Sequence, residues 1–121
     1  MKERIIKHLE AVAKKKGCEE VVLNLKEKKP LVLEGIKGSF IPEVLCYVKG
    51  QLRALITFIE SLDEIEEFYK LTLFIDFTRK NSLFLYIVYD QQNFSTDEII
   101  QKLTKKGVKV PENTSIVGVN L

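Results

Sequence analysis

Apolar residues recur at Ile5, Leu9 and Val12, with Ile6 and Ala13 beside them, while charged residues fill most other positions from Lys2 to Lys16. That three-to-four spacing predicts an amphipathic helix, and Gly17 stands where a left-handed cap would close it. Val21, Leu23 and Leu25 then alternate within EEVVLNL, which predicts a strand. The stretch Lys26–Pro30 (KEKKP) reads as a solvated turn, and Leu31–Leu33 as a short return strand. Two runs rich in β formers follow, Phe40–Val48 and Gln51–Glu60, separated by Lys49-Gly50 as a tight hairpin turn.

Ser61 and Glu64 form an S-x-x-E capping box, which predicts a helix from there to about Arg79. Leu71–Phe77 also alternates, so periodicity alone admits a strand at that point as well as a helix. Ser82–Tyr89 is a nearly continuous apolar run, the pattern of a strand buried on both faces. A second capping box, Ser95 with Glu98, opens a helix that buries Ile99, Ile100 and Leu103. Lys105 and Lys106 suit the negative end of its dipole, and Gly107 closes it. A short strand at Ser115–Val119 ends the chain. With the short Leu31–Leu33 segment left out, the predicted order is α, β, β, β, α, β, α, β. Late alternation implies parallel crossovers and the early hairpin is antiparallel, so the expected class is α/β (α+β), a mixed sheet flanked by helices.

Composition narrows the class. With 121 residues and 45% hydrophobic content, the chain suits a single domain over 1–121 that holds a core without staples. Seven Phe, four Tyr and many branched aliphatics demand burial and argue against disorder. The net charge of +2, from 19 Lys and Arg against 17 Asp and Glu, excludes the strongly basic class of nucleic-acid binders but leaves room for a local basic face. No apolar run reaches the roughly 20 residues that span a bilayer. The opening MKERIIKHLE has the wrong charge pattern for a signal peptide. Cys18 and Cys46 lack CxxC spacing, and with the lone His8 they cannot build a zinc site. They read as reduced, buried thiols of a cytoplasmic protein.

The segment FIPEVLCYVKGQLRALITFIES, Phe40–Ser61, carries the chemistry: Ile41-Pro42-Glu43 enters a strand, a glycine turn reverses it, and the next strand ends in Phe58-Ile59-Glu60. This pattern resembles the PD-(D/E)XK, or restriction-endonuclease-like, nuclease superfamily. In that family a Pro-Asp opens one strand and (D/E)-x-K lies on its hairpin partner. The family's order α, β, β, β, α, β matches Lys2–Tyr89, and the resemblance favours a helix at Leu71–Phe77. It implies two carboxylates converging on Mg²⁺, which lowers the pKa of an attacking water, and a lysine that orients that water.

Mapped onto this chain, Glu43 replaces the Asp, Phe58 stands where the second carboxylate is expected and Glu60 where the lysine is expected. A second register makes Glu60 the metal ligand with Leu62 at the lysine position. The resemblance further implies that a lysine supplied by the following helix would be Lys70, and that a carboxylate added from the first helix would be Glu10. The catalytic set is therefore Glu43, Glu60 and Lys70, and the metal set Glu43, Glu60 and Glu10, with Mg²⁺ as cofactor if the site is active. The departures make a nuclease-like domain with a degenerate site the expectation. It would bind nucleic acid or protein, as a homodimer or within a larger complex. An Mg²⁺-dependent DNA endonuclease with a rearranged site is the alternative.

Basic residues gather at Lys14–Lys16, at Lys26, Lys28 and Lys29, and at Lys102, Lys105, Lys106 and Lys109, where lysines contact either water or phosphates. Arginine, the better phosphate fork, occurs only at Arg4, Arg53 and Arg79, and Arg53 lies on a core strand where it can face a groove. No phosphate-cradling glycine loop is present. Phe40, Phe58, Phe84 and Tyr86 read as core aromatics rather than a base-stacking platform.

Overall fold

The computed structural model of the chain describes residues 3–24 and 31–121. Helix α1 (Glu3–Lys15) leads to β1 (Glu20–Leu23), then β2 (Leu33–Gly35), β3 (Gly38–Phe40), β4 (Val44–Val48) and β5 (Gln51–Ile59). Helix α2 (Ile65–Lys80), β6 (Phe84–Asp90), α3 (Thr96–Lys105) and β7 (Thr114–Val119) follow. Five strands form one sheet in the order β1-β4-β5-β6-β7, and β2 pairs with β3 in a separate ribbon. The first two pairings of the main sheet are antiparallel and the last two parallel. The α/β (α+β) class with a mixed sheet is what the sequence pattern predicts.

Strands β5, β6 and β7 run the same way and follow one another across the sheet, so right-handed crossovers bring both connecting helices to one face. Leu71, Phe74 and Ile75 of α2, with Ile99 and Leu103 of α3, accordingly share a core with Leu45, Leu55, Leu85 and Ile87. On the opposite face, Ile5, Leu9, Val12 and Ala13 of α1 pack on Val44, Ala54, Ile56, Phe58 and Val88. Successive strand residues point to opposite faces, and β4, β5 and β6 thereby divide their side chains between two cores.

Local chemistry sets the element ends. Lys49 and Gly50 adopt φ of +52° and +74°, the left-handed pair that a two-residue hairpin requires. The Ser95 hydroxyl accepts the Glu98 N–H at 3.2 Å and caps α3 as the motif predicts. The Ser61 box behaves differently. Its hydroxyl accepts the N–H of Asp63 at 3.2 Å, and α2 begins only at Ile65 with no side-chain cap. A serine that bonds two residues ahead forms a local turn, and that turn competes with the cap. Leu71–Phe77 is helical, since Leu71, Phe74, Ile75 and Thr78 make one buried stripe.

Five further expectations change, the first at α3, where Ile99 and Leu103 are buried but Ile100 is exposed. Leu31–Leu33 is no return strand for β1: only Leu33 enters β2, which pairs with Phe40 of β3, while β1 pairs with β4. The run Phe40–Val48 breaks at Ile41–Glu43, because Pro42 has no N–H to give a ladder. Phe84 is not a core aromatic; it is 52% exposed. Cys18 and Cys46 are not free thiols but a disulfide, their Cα atoms 5.5 Å apart. The turn after Gly17 sets Cys18 beside buried Cys46 of β4, a proximity that 28 residues of separation conceal. The expected turn at Lys26–Pro30, with Lys26, Lys28 and Lys29, lies outside the described residues, as does Lys2. Among the described residues no helix is long and apolar enough to cross a membrane.

Candidate functional site

The β4–β5 register pairs Val44 with Ile56, so Glu43, one residue earlier, falls opposite Thr57 on the α2 face of the sheet. Pro42 cannot hold that entry by strand bonds, and Asn24 does so instead. Its side-chain amide donates to the carbonyls of Pro42 (2.9 Å) and Leu31 (2.8 Å), and its Oδ1 accepts the Leu31 N–H at 2.8 Å. Its backbone N–H donates to the Glu43 carbonyl at 3.0 Å. A buried asparagine satisfied on every side rigidifies the segments it joins.

The Glu43 carboxylate is then met from β5. Thr57 Oγ1 donates to Glu43 Oε1 at 3.2 Å, and the Phe58 N–H donates a short hydrogen bond to Oε2. From α2, the buried Lys70 ammonium stands 4.0 Å from Glu43 Oε1 and 3.2 Å from Glu67 Oε2, and it donates to the Phe58 carbonyl at 2.9 Å. Among the described residues Glu67 Oε2 is buried without a directed hydrogen bond, and its link to Lys70 is a charge contact. Glu67 and Lys70 are one helical turn apart and rise over the same strand end. Burial pushes the Glu43 carboxyl above its ordinary value of 4.5. Lys70, the Phe58 N–H and Thr57 pull it back, and Glu67 adds to the rise. With all three groups ionised the cluster holds two negative charges against one positive, so it attracts a proton or a further cation.

The sequence-derived residues divide. Glu43 and Lys70 come together. Glu60 is exposed in the bend after β5, and Glu10 is on α1, across the sheet from α2. Among the described residues no three His, Cys, Asp or Glu side chains gather to hold a metal, and Glu43, Glu60 and Glu10 share no centre. The Phe58 ring packs into the α1 core, so that residue offers the site its backbone only. By register, Thr57 and Ile59 are the β5 residues that face with Glu43. Glu67, Thr57 and Asn24 are the partners that sequence reasoning missed. Glu67 lies three residues before Lys70, and that spacing was the signal available for it.

A Mg²⁺ ion prefers about six oxygen ligands in near-octahedral array. Here both Glu43 oxygens already accept protein hydrogen bonds, and an ammonium fills the space shared with Glu67. The residues present do not fit the metal that the family pattern implies. Comparison with protein-family models, with curated proteins and with solved structures found no match.

Proposed function

We propose that this chain is a nuclease-like domain of the PD-(D/E)XK type whose site no longer supports metal-dependent cleavage, and that it serves to bind nucleic acid. The position of Lys70 carries the reading. Its ammonium lies against two carboxylates where the family pattern calls for a divalent ion, and its bond to the Phe58 carbonyl fixes it there. A lysine so placed supplies the counter-charge that lets Glu43 remain in a buried strand end, a structural role rather than a hydrolytic one. The element order α, β, β, β, α, β across the main sheet supports the superfamily half of the reading, although fold alone assigns no activity. Exposed Lys14, Lys15, Lys16 and Arg53 supply phosphate-contacting groups.

A cytoplasmic setting accords with this role. The Cys18–Cys46 bond would then place the domain among the few intracellular proteins that keep a disulfide. A second copy or larger assembly remains part of the proposal, with the edge strands β1 and β7 open to pairing.

Labelled single-stranded and duplex DNA and RNA, titrated by fluorescence anisotropy over a range of salt and followed by cleavage assays with Mg²⁺ and Mn²⁺, test this reading. Salt-dependent binding without cleavage is expected. Metal-dependent cleavage that Glu43→Gln abolishes would instead establish the endonuclease alternative. Absence of binding at low salt would overturn the nucleic-acid role.

A further inference from the structure

On the α1 face, at the end of β5 opposite Glu43, a cavity of about 300 Å³ opens beside the C-terminus of α1. Lys16, Arg53, Phe84 and Tyr86 line it, with the disulfide residue Cys46 in its wall, and among the described residues no carboxylate contributes to the lining. Phe84 and Tyr86 alternate along β6 and face the same way, their rings 6.4 Å apart at the centroids and only 15° from parallel. Tyr86 is mostly buried and Phe84 is 52% exposed. A large aromatic left half in water on a core strand offers a stacking face. The Lys16 ammonium stands 5.6 Å from the centre of the Tyr86 ring. Arg53 is exposed and lines the same cavity, and its strand neighbour Ala54 pairs with Phe84.

We propose that this cavity takes a nucleotide, the base stacked on Phe84 and the phosphate held between Arg53 and Lys16. The proposal rests on the nucleic-acid reading above and names the part of the ligand that one site receives. The occupant follows from the lining. The π face of Phe84 accepts any base, and the two cations of the lining select an anion beside it. A volume of about 300 Å³ is at the small end of ligand sites and suits one unpaired base, not a stacked pair, so duplex DNA is the poorer ligand. The same chemistry belongs to a free mononucleotide and to one residue of a single strand.

Anisotropy with a labelled short oligothymidylate, a labelled duplex, and calorimetry with thymidine monophosphate separate these cases. Loss of one stacked base weakens binding roughly five- to hundredfold, and Phe84→Ala should weaken the single strand by that factor. Phe84→Trp should restore it. Since Phe84 is half exposed, neither substitution threatens the fold. Arg53→Ala should lower the slope of log affinity against log salt by about one. Thymidine monophosphate binding as tightly as the strand identifies the free nucleotide as the ligand, and far weaker binding identifies the strand; either outcome supports the cavity. A strand that binds wild type and Phe84→Ala equally overturns the cavity while leaving the broader nucleic-acid role standing. Failure of both strand and mononucleotide overturns it too, and the duplex then reports separately on that broader role.

Discussion

Lys70 of α2 donates a 2.9 Å hydrogen bond to the carbonyl of Phe58, the same residue whose N–H binds the Glu43 carboxylate. One β5 residue, through its backbone alone, thus holds both the cation and an anion of the buried cluster. The lysine belongs to the joint between α2 and the strand end as much as to any site.

Lys70→Met keeps much of the apolar stem and removes the charge. It leaves the partly buried Glu43 and Glu67 carboxylates without their counter-charge; breaking a fully buried pair from one side costs about 3–5 kcal/mol, and a loss below that ceiling is expected here. Adding Glu43→Gln and Glu67→Gln should recover a large part of that cost. Urea unfolding midpoints of the single and triple variants decide it; a triple variant no more stable than Lys70→Met would show that the lysine acts through packing.

Glu43 sets a pH dependence of definite sign. Burial raises its carboxyl above 4.5 in the folded chain, so the folded state holds that proton more tightly than the unfolded state. The stability it contributes is full below pH 4.5 and is lost as pH rises through the raised value. Glu43→Gln has no such proton. The difference in unfolding free energy, wild type minus Glu43→Gln, should therefore fall as pH increases from 4.5, and a rising difference would contradict the assignment.

The Cys18–Cys46 disulfide closes a loop that begins at the end of α1 and returns on β4. For a loop of this length the chain-entropy model gives about 3–4 kcal/mol. Reduction, or Cys18→Ser with Cys46→Ser, should lower the unfolding free energy by that amount, and mass measurement with and without reductant reports whether the bond is closed. A stability indifferent to reductant in a chain shown to be oxidised would refute the contribution.

Gly118 on β7 lies against Tyr89, where an added Cβ would come within 2.9 Å of the phenol oxygen. That oxygen is tied to Thr96 Oγ1 at 2.6 Å, at the first turn of α3. Gly118→Ala must displace the ring and loosen that bond, and overpacking of this kind costs about 1–3 kcal/mol. Thr96→Val should cost less in the Gly118→Ala background than in wild type, because the bond it removes is already weakened. Strict additivity in thermal unfolding would rule out the coupling.

Much of the fold was legible where one local rule acts unopposed. The 3.6 periodicity of Ile5, Leu9 and Val12 specified α1, Lys49-Gly50 specified the hairpin, and Ser95 with Glu98 specified the start of α3. The pattern misled where two local rules compete, as at Ser61, whose hydroxyl serves a turn rather than α2. It also misled at Phe84, where apolar neighbours on both sides hid a ring at the open end of β6.

The site was half legible. Glu43 and Lys70 stood out by residue type, but their meeting depends on strand register and on α2 crossing the end of β5. A strand shifted by one residue turns every side chain to the other face, and that parity sends the Phe58 ring to the α1 core while Thr57 meets Glu43.

By itself, then, the order of apolar and polar residues determined the helices, most strands and the mixed α/β class, because periodicity and caps are properties of neighbours in sequence. Tertiary structure alone decided that Cys18 meets Cys46, that Glu67 joins Glu43 around Lys70, that Glu10 and Glu60 stay apart from them, and that Arg53 borders an exposed Phe84. These relations join residues far apart in sequence or on different elements. They follow from sheet register and helix placement, which the burial of the two cores sets for the chain as a whole.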